Sequence, residues 1–426
     1  MKRNIGNLVI IASVFLTVAV WFVFPPHQDG SDTFVRRYAG EILGSIVIVL
    51  MSFALFLSTR PKWAEPYFGG LDKMYITHRR VATSAFLLLF VHLLTVPISI
   101  NDMRIGNYIA IVAFTGIVSI VLVTLAPRIP FLSKFLTGGT YDGWKRIHRF
   151  IGIFFILGFI HSLTVKALDA LIPITWVQMF FILGTVSYFY TEIFGGLFKK
   201  FVPYTVEAVK HPNQSTTEVT MRAKKSPIKR QRAGQFLFVH FPQDKVLNES
   251  HPFTISSAPH EDVLRVTIKA SGDFTRYLFS NLQPNADAVI EGAYGMFDYK
   301  TGGQKQIWLA GGIGLTPFLS FIRDMNGGLA HDVDFYYTVR HPEEALFVDE
   351  IKATAERNPR FRPHIRFSAT EGSLTIDHIL HNAGGNINDY HVYMCGPLPM
   401  IQAFEKKFID LGLPPDQLHY EEFNFR

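Results

Sequence analysis

The sequence predicts a membrane α-helical six-helix bundle fused to an antiparallel β-barrel and a doubly wound α/β domain. Three observations in the 426-residue chain support this fold class. Six long apolar segments occur before residue 200, apolar and polar residues alternate from Tyr204 onward, and a strand–helix–strand pattern begins at Gln306. These changes of pattern divide the chain into domains at residues 1–200, 201–302 and 303–426.

The composition separates an apolar, basic half from an ordinary globular half. Hydrophobic residues make up 48% of the chain and charged residues 18%. Residues 1–200 carry 18 Lys and Arg against 9 Asp and Glu, whereas residues 201–426 carry 23 against 26. Because the basic excess lies at the ends of apolar segments, it indicates membrane topology and no nucleic-acid partner.

The apolar segments have 16–21 residues each, close to the length that spans a hydrocarbon core of about 30 Å. Lys and Arg gather on one side of the predicted bilayer, which places both termini in the cytoplasm of a multi-pass cell-membrane protein. Lys2 and Arg3 also fit a signal peptide, but Pro25-Pro26, in place of a small-residue cleavage site, favours a retained first helix. The segments are Leu8–Phe24, Ile42–Leu57, Val81–Ile98, Tyr108–Leu125, Ile147–Val165 and Ile174–Phe194.

Cys395 is the single cysteine of the sequence. A disulfide framework, a cysteine-based zinc site, a thiolate-held iron–sulfur cluster and a covalent C-x-x-C-H haem attachment are therefore excluded within this chain. Any redox group must be held by histidine, or by backbone and shape.

Two apolar segments each carry one histidine in the interior and one at the cytoplasmic end. His78 and His92 are 14 residues apart and His148 and His161 are 13 apart, so each pair spans roughly 20 Å along a helix. A histidine inside a membrane is costly, although a single one is often structural. Two matched pairs indicate instead the ligands of two stacked bis-histidine haems.

The second histidine pair requires a local irregularity. Thirteen residues of ideal helix place two side chains about 140° apart. A bulge, a bend, or porphyrins approached from different sides would reconcile His148 with His161. Gly152 and Gly158 lie between these two histidines, and the irregularity could be at either glycine.

Four short motifs follow in order through the second half of the chain. Glycines beside a helix N-terminus let the backbone close around phosphate oxygens. One glycine-rich turn could be a generic strand–helix connection, but the ordered set is specific. The motifs are His251-Pro-Phe-Thr254, Ser271-Gly-Asp-Phe-Thr275, Gly311-Gly-Ile-Gly-Leu-Thr-Pro317 and Cys395-Gly-Pro397.

This set resembles the ferredoxin–NADP reductase superfamily, and the chain from about residue 40 resembles prokaryotic members of the NADPH oxidase/ferric reductase family. The resemblance implies an FAD-binding β-barrel domain, an NAD(P)H-binding α/β domain and a di-haem ferric reductase-like membrane domain. In it His78 pairs with His148, and His92 with His161. The implied flavin-binding residues are His251, Pro252, Phe253, Thr254, Lys269, Gly272, Asp273, Phe274 and Thr275.

The resemblance also implies the nucleotide site. Arg340 occupies the position that contacts a 2′-phosphate, where a guanidinium favours NADPH without excluding NADH. Phe423 and Cys395 are the expected catalytic residues: Phe423 would lie against the flavin, with Phe425 or plain packing as alternatives, and Cys395 would lie on the nicotinamide side. The remaining implied residues are Gly311, Gly312, Gly314, Thr316, Pro317, Gly396 and Pro397.

The resemblance predicts an oxidoreductase that passes electrons from NADPH through FAD and two b-type haems to external dioxygen, producing superoxide. Bis-histidine ligation leaves no open iron position, which favours an acceptor that does not bind iron. A ferric-chelate reductase and an electron donor to a periplasmic protein partner are alternatives with the same architecture, and a haem-free membrane anchor for a flavin reductase is a third. No obligatory cytosolic activator is implied.

Overall fold

The computed structural model describes residues 4–98, 101, 103–125, 146–165, 168–195, 200–228, 231–325, 328, 330–383 and 386–421. The chain divides into two compact units, Lys2–Lys199 and Lys200–Arg426.

The first unit is helical. Its last helix continues as a π-helical turn over Tyr190–Phe194. The α-helices of its described part are α1 (Ile5–Val23), α2 (Phe34–Ser58), α3 (Glu65–Phe68), α4 (Leu71–Thr95), α5 (Ile105–Leu125), α6 (Ile151–Thr164) and α7 (Leu171–Phe189).

Five helices in the described part of the chain are long and apolar enough to cross a membrane. They begin at Ile5, Phe34, Ile105, Arg146 and Leu171. Helix α4 is as long as any of them, at 25 residues, but Asp72, Lys73, Arg79 and Arg80 lower its mean hydropathy. The protein is therefore a multi-pass membrane protein, and α4 corresponds to the remaining predicted span.

The bundle packs around α2, which contacts α1, α4 and α7. Two indole N–H groups tie helices together inside it: Trp21 Nε1 donates to Ser45 Oγ at 2.9 Å, and Trp176 Nε1 donates to Thr17 Oγ1 at 2.9 Å. Hydrogen bonds of this kind hold helices together where lipid supplies no hydrophobic driving force.

The second unit opens with a six-stranded antiparallel sheet in the order β4-β3-β6-β1-β2-β5. A bridge between Ile255 and Val266 joins its two edges, so the sheet curls into a partly closed barrel. Helix α8 (Asp273–Asn281) lies between the last two strands in sequence. The strands are β1 (Phe201–Asn213), β2 (Thr216–Ala223), β3 (Phe236–His240), β4 (His251–Thr254), β5 (Leu264–Lys269) and β6 (Asp287–Tyr294).

A five-stranded parallel sheet follows in the order β11-β10-β7-β8-β9. Its strands are β7 (Lys305–Gly311), β8 (Asp332–Val339), β9 (Phe361–Phe367), β10 (Tyr390–Cys395) and β11 (Leu418–Glu421). Its helices are α9 (Leu315–Asp324), α10 (Val348–Arg357), α11 (Ser368–Glu371), α12 (Ile376–Asn382) and α13 (Leu398–Asp410).

Both faces of the parallel sheet are covered. Trp308 and Phe335 pack with Phe318 of α9 on one face, and Val392 packs with Phe404 of α13 on the other. Strand order reverses between β7 and β10, which creates the crevice where doubly wound sheets bind ligands. The predicted fold class, apolar helices followed by an antiparallel barrel and a doubly wound α/β domain, is confirmed.

Candidate functional site

Three of the four predicted histidine ligands are oriented by backbone carbonyls of neighbouring helices. The Nδ1 atom of His78 lies 2.8 Å from the carbonyl oxygen of Ala54, that of His92 2.9 Å from Gly40, and that of His161 3.0 Å from Gly106. A carbonyl only accepts, so each Nδ1 carries the proton and each Nε2 presents a lone pair. This is the arrangement that holds a histidine as a metal ligand.

The histidines also come together in two pairs. The ring centroids of His78 and His148 lie 6.4 Å apart with the planes at 71°. A metal bonded at about 2 Å to one nitrogen of each ring fits between rings at that separation. His92 and His161 lie close enough to interact electrostatically.

Each pair supplies two ligands, which is the number a haem takes from a protein in bis-histidine ligation. Among the described residues no group of three or more His, Cys, Asp or Glu side chains could hold a bare metal ion. The donor set therefore fits a haem, which brings its own equatorial nitrogens.

The irregularity expected between His148 and His161 lies at Phe150. Its N–H bonds to the carbonyl of Ile147 at 3.1 Å, and its own carbonyl accepts from Ile153 at 3.0 Å. These bonds to the third residue tighten the helix just after His148 and change the direction in which that side chain projects. The irregularity does not lie at Gly152 or Gly158, the two glycines predicted for it. A Cβ on Gly152 would lie 2.2 Å from the Tyr188 ring, whereas one on Gly158 would meet nothing within 4 Å.

Small residues let the histidine rings approach their acceptors. A Cβ on Gly44 would lie 3.3 Å from Cε1 of His92, and one on Gly106 would lie 2.7 Å from Oγ1 of Thr164. The sequence did not indicate these acceptors, because Gly40 and Gly106 precede their histidines by 52 and 55 residues.

The two predicted flavin segments meet at one edge of the barrel. The His251 ring of β4 stacks on Phe274 of α8 with centroids 3.9 Å apart, and Phe253 stacks on the same ring at 6.4 Å. Pro252 pairs with Phe238 of the neighbouring strand β3. The sequence-distant aromatic side chains thus form one surface against which a planar ring can lie.

The N-terminus of α8 follows a preformed turn. Thr275 Oγ1 accepts from the N–H groups of Ser271 and Gly272, both at 2.9 Å. A Cβ on Gly272 would meet nothing within 4 Å, so the backbone there is open to a ligand. Asp273 is exposed and pairs with Arg276 at 2.6 Å.

Lys269 and Thr254 complete the set predicted for the flavin. Lys269 ends β5 and lies 4.0 Å from Glu344. Thr254 ends β4 and is buried. The N–H of Ser271 donates to the carbonyl of Lys269 at 2.9 Å, which joins β5 to the second motif. The expected flavin roles of both residues stay predictions.

The glycine-rich turn connects β7 with α9 at the crevice of the parallel sheet. Gly312 has φ +56°, in the left-handed region that glycine adopts without strain, and a Cβ there would meet nothing within 4 Å. A Cβ on Gly314 would lie 2.3 Å from the carbonyl oxygen of Cys395. One on Gly311 would lie 2.8 Å from Pro397. The structure thus brings the third and fourth motifs into backbone contact.

Thr316 and Pro317 lie in the first turn of α9 and are buried. Thr316 Oγ1 bonds back to the carbonyl of Ile313 at 3.2 Å, which closes the turn. Gly396 follows β10, and a Cβ on it would lie 3.0 Å from the backbone of Gly311. The turn and the residues after β10 therefore form one small-residue surface suited to a pyrophosphate.

The side chain of Cys395 is fully buried in the core between the parallel sheet and α9. Burial and the carboxylate of Glu421 both raise the pKa of its thiol well above the usual range. At neutral pH the side chain is a protonated thiol, so the part of Cys395 that faces the glycine-rich turn is its backbone.

Cys395 should accordingly react slowly with a thiol reagent. We expect N-ethylmaleimide to modify the native protein roughly a hundredfold more slowly than the unfolded chain, because attack requires an accessible thiolate. Mass spectrometry of the time course measures the two rates. Equal rates would show that the thiol is exposed and available for chemistry.

Arg340 is exposed and directly follows β8, next to the strand that carries the glycine-rich turn. We expect Arg340→Ala to lower kcat/KM for NADPH by about 10- to 100-fold and that for NADH by less than about twofold, because one charge-assisted hydrogen bond contributes about 1.5–3 kcal/mol. Arg357→Ala, which removes another exposed arginine of the same domain, is the control. An equal loss with both nucleotides would place the 2′-phosphate elsewhere.

Phe423 and Phe425 lie outside the described residues. The last described residue is Glu421, which ends β11 opposite Cys395 and is buried.

No local sequence pattern indicates the buried ion-pair network around Arg323 of α9. Its guanidinium binds Glu218 of β2 and Glu350 of α10, which are 105 and 27 residues away. Such contacts follow from tertiary packing and have no local sequence pattern.

Three family models match consecutive parts of the chain. A ferric reductase like transmembrane component matches residues 43–158, an FAD-binding domain matches residues 201–307, and an oxidoreductase NAD-binding domain matches residues 308–406. The matched parts coincide with the helical unit, the barrel and the parallel sheet.

Curated relatives match about half of the chain. The propane 2-monooxygenase reductase component of Rhodococcus jostii (strain RHA1) is 27% identical over 205 residues, which are 45% of this chain and 55% of that protein. A flavohemoprotein of Bacillus subtilis (strain 168) is 24% identical over 244 residues, 54% of this chain and 60% of that protein. The chain spans about half the length of the curated relatives it matches.

Solved structures include a ferredoxin NADP+ reductase from Neisseria gonorrhoeae with bound FAD and NADP, 22% identical with a TM-score of 0.46, covering 52% of this chain and 98% of that one. A flavohemoglobin from Malassezia yamatoensis is 15% identical with a TM-score of 0.53, covering 92% and 98%; this is a similarity of fold alone. The chain is a membrane oxidoreductase with FAD- and NAD-binding domains. Its ferric reductase-like transmembrane domain followed by these two domains matches the architecture of the NADPH oxidase/ferric reductase family.

Proposed function

We propose that this protein oxidises NAD(P)H at the cytoplasmic face of the cell membrane and delivers the electrons to dioxygen outside, with both termini in the cytoplasm. His78 and His148 would hold an inner b-type haem, and His92 and His161 an outer one. The observation that carries the proposal is the Nδ1–carbonyl hydrogen bond of three of these histidines, two in helix α4 and one in helix α6.

The cofactors would supply chemistry that the side chains lack: FAD divides a hydride equivalent into single electrons, and haem iron carries one electron at a time. The chain's own residues bind and orient them. The carbonyls of Ala54, Gly40 and Gly106 fix the histidine rings. The turn at Gly312 offers backbone N–H groups to a pyrophosphate, and Arg340 offers its charge to a 2′-phosphate.

The outer surface favours a small neutral acceptor. The guanidinium of Arg36 is hydrogen-bonded to carbonyls at the C-terminal end of α4. Its Nε donates to the carbonyl of Thr95 at 2.9 Å and its Nη2 to that of Val96 at 3.3 Å. Arg37 pairs with Asp29. An anionic ferric chelate would require several free external cations, and in the described part of the chain Arg104 is exposed besides these two arginines. Dioxygen requires none. Overall, one NAD(P)H would reduce two dioxygen molecules to two superoxide ions and release one proton.

The acceptor is tested by NADPH-driven cytochrome c reduction with the purified chain alone, in the presence and absence of superoxide dismutase. We expect dismutase to abolish most of the cytochrome c reduction. In the presence of dismutase, we expect oxygen uptake to match NADPH consumption. Dismutase-insensitive reduction, with rapid turnover of ferric chelates under nitrogen, would favour the ferric reductase. Activity only with an added periplasmic protein would favour an electron donor to such a partner.

A further inference from the structure

Arg323 lies at the C-terminal end of α9 and is buried, with 9% of its surface exposed. Its Nη1 lies 3.0 Å from Oε1 of Glu218 and 2.9 Å from the carbonyl oxygen of Ser256. Its Nε and Nη2 bind the two carboxylate oxygens of Glu350 at 2.7 and 3.0 Å. We call these four residues the Arg323 network.

The Arg323 network joins the two halves of the second unit. Glu218 belongs to β2 of the barrel, and Ser256 follows β4, which carries the flavin motif. Glu350 belongs to α10, in the same α/β domain as Arg323. Ser320, one turn earlier on α9, donates to the carbonyl of Ser257 at 2.7 Å, so α9 holds the barrel segment after β4 at two points.

The same helix begins at the glycine-rich turn. Helix α9 has 10 residues, so about 15 Å separates the turn from Arg323. A helix of that length is rigid, and its far end is also fixed by Asp324, which accepts from Tyr299 at 3.0 Å and pairs with Lys300 at 2.6 Å. Any rotation of α9 against the barrel would therefore move the glycine-rich turn relative to β4.

We propose that Arg323 is a positioning residue for hydride transfer. Through its bonds to Glu218 and to the Ser256 carbonyl, Arg323 fixes α9 against the barrel and would thereby set the distance and angle between the nicotinamide and the flavin. This inference rests on the proposed function in one respect, namely that NAD(P)H reduces FAD bound at these two motifs. Arg323 itself contacts neither of these two motifs. It acts through α9, the helix that begins at the glycine-rich turn.

The chain offers a matched pair of variants. Glu218→Ala removes the carboxylate on the barrel side of the guanidinium, and Glu350→Ala removes the one on its own side. Glu350 makes two hydrogen bonds to Arg323 and Glu218 makes one. A purely structural role predicts that Glu350→Ala is at least as damaging. A positioning role predicts that Glu218→Ala slows flavin reduction more, because Glu218 belongs to the barrel whereas Glu350 belongs to the same α/β domain as α9.

The test uses the full-length protein in detergent, mixed with NADPH under nitrogen while flavin absorbance is followed. We expect Arg323→Met and Glu218→Ala to slow flavin reduction by roughly 10- to 100-fold, since small displacements of reacting groups have effects of that size. FAD content and the KM for NADPH should change less than about threefold, and Glu350→Ala and the surface variant Arg222→Met should leave the rate within about twofold. Equal slowing by Glu218→Ala and Glu350→Ala would overturn the proposal.

A second readout needs no turnover. Spin labels on cysteines introduced at the exposed positions Lys225 and Lys406, on the barrel and on α13, report the distance between the two domains; buried Cys395 should remain unlabelled. We expect one narrow distance distribution in the parent and in Glu350→Ala, and a broadened one in Arg323→Met and Glu218→Ala. Unchanged distributions in all variants would overturn the proposal. If the parent fails to reduce flavin while the distributions change as expected, the proposed function fails and the domain-fixing role stands.

Discussion

His92→Leu and His161→Leu are each expected to lower the haem content from two per chain to about one, with FAD content unchanged. Each substitution removes one axial ligand of the outer site and leaves His78 and His148 in place. FAD binding should persist because its residues lie in the other unit. The pyridine haemochrome spectrum and the flavin released on unfolding measure the two contents.

His27→Leu is the control for the haem prediction, because His27 is an exposed histidine of the same unit. It should retain both haems. The pairing would be contradicted if His92→Leu or His161→Leu kept two haems with unchanged spectra. A loss of both haems from one variant, with a large fall in thermal stability, would mean that the bundle requires the outer site to fold.

Gly314→Val is expected to lower the rate of flavin reduction by NADPH at least about 100-fold while haem and FAD contents are retained. Its Cβ would lie 2.3 Å from the carbonyl oxygen of Cys395 and 2.7 Å from Cα of Gly396. Both are backbone atoms at the end of a central strand, so they cannot move without opening the crevice. Stopped-flow absorbance under nitrogen measures the rate.

Dithionite provides the control for Gly314→Val, because it reduces the cofactors without using the nucleotide site. We expect the variant to reach the same fully reduced spectrum with dithionite as the parent. A variant that binds and uses NADPH normally would show that nucleotide does not bind at the contact between the third and fourth motifs.

The elements with a strong local pattern could be predicted from sequence. Strands Phe236–His240 and Leu264–Lys269 lie where alternation and turn residues predict a β domain. Helix α9 begins at Leu315, because the glycine-rich turn leads directly into it. In the membrane, length and hydropathy identified the apolar helices, although charged residues extend α4 beyond its apolar part.

What the sequence could not predict depends on contacts between distant residues. The carbonyl that orients His92 belongs to Gly40, and the tight turn that redirects His148 depends on hydrogen bonds at Phe150 rather than on a glycine. Helix periodicity describes one regular helix and contains no information on its neighbours. The Arg323 network could not be predicted for the same reason.

We propose that NAD(P)H, FAD and two histidine-held haems form one electron path. The absorption spectrum of the purified protein under nitrogen is the most direct test of this path. We predict that the protein shows b-type haem bands, that adding NADPH converts them to the reduced form, and that admitting air restores the oxidised spectrum. Haem bands that respond to dithionite but not to NADPH, or the absence of haem bands from folded, FAD-loaded protein, would contradict the account.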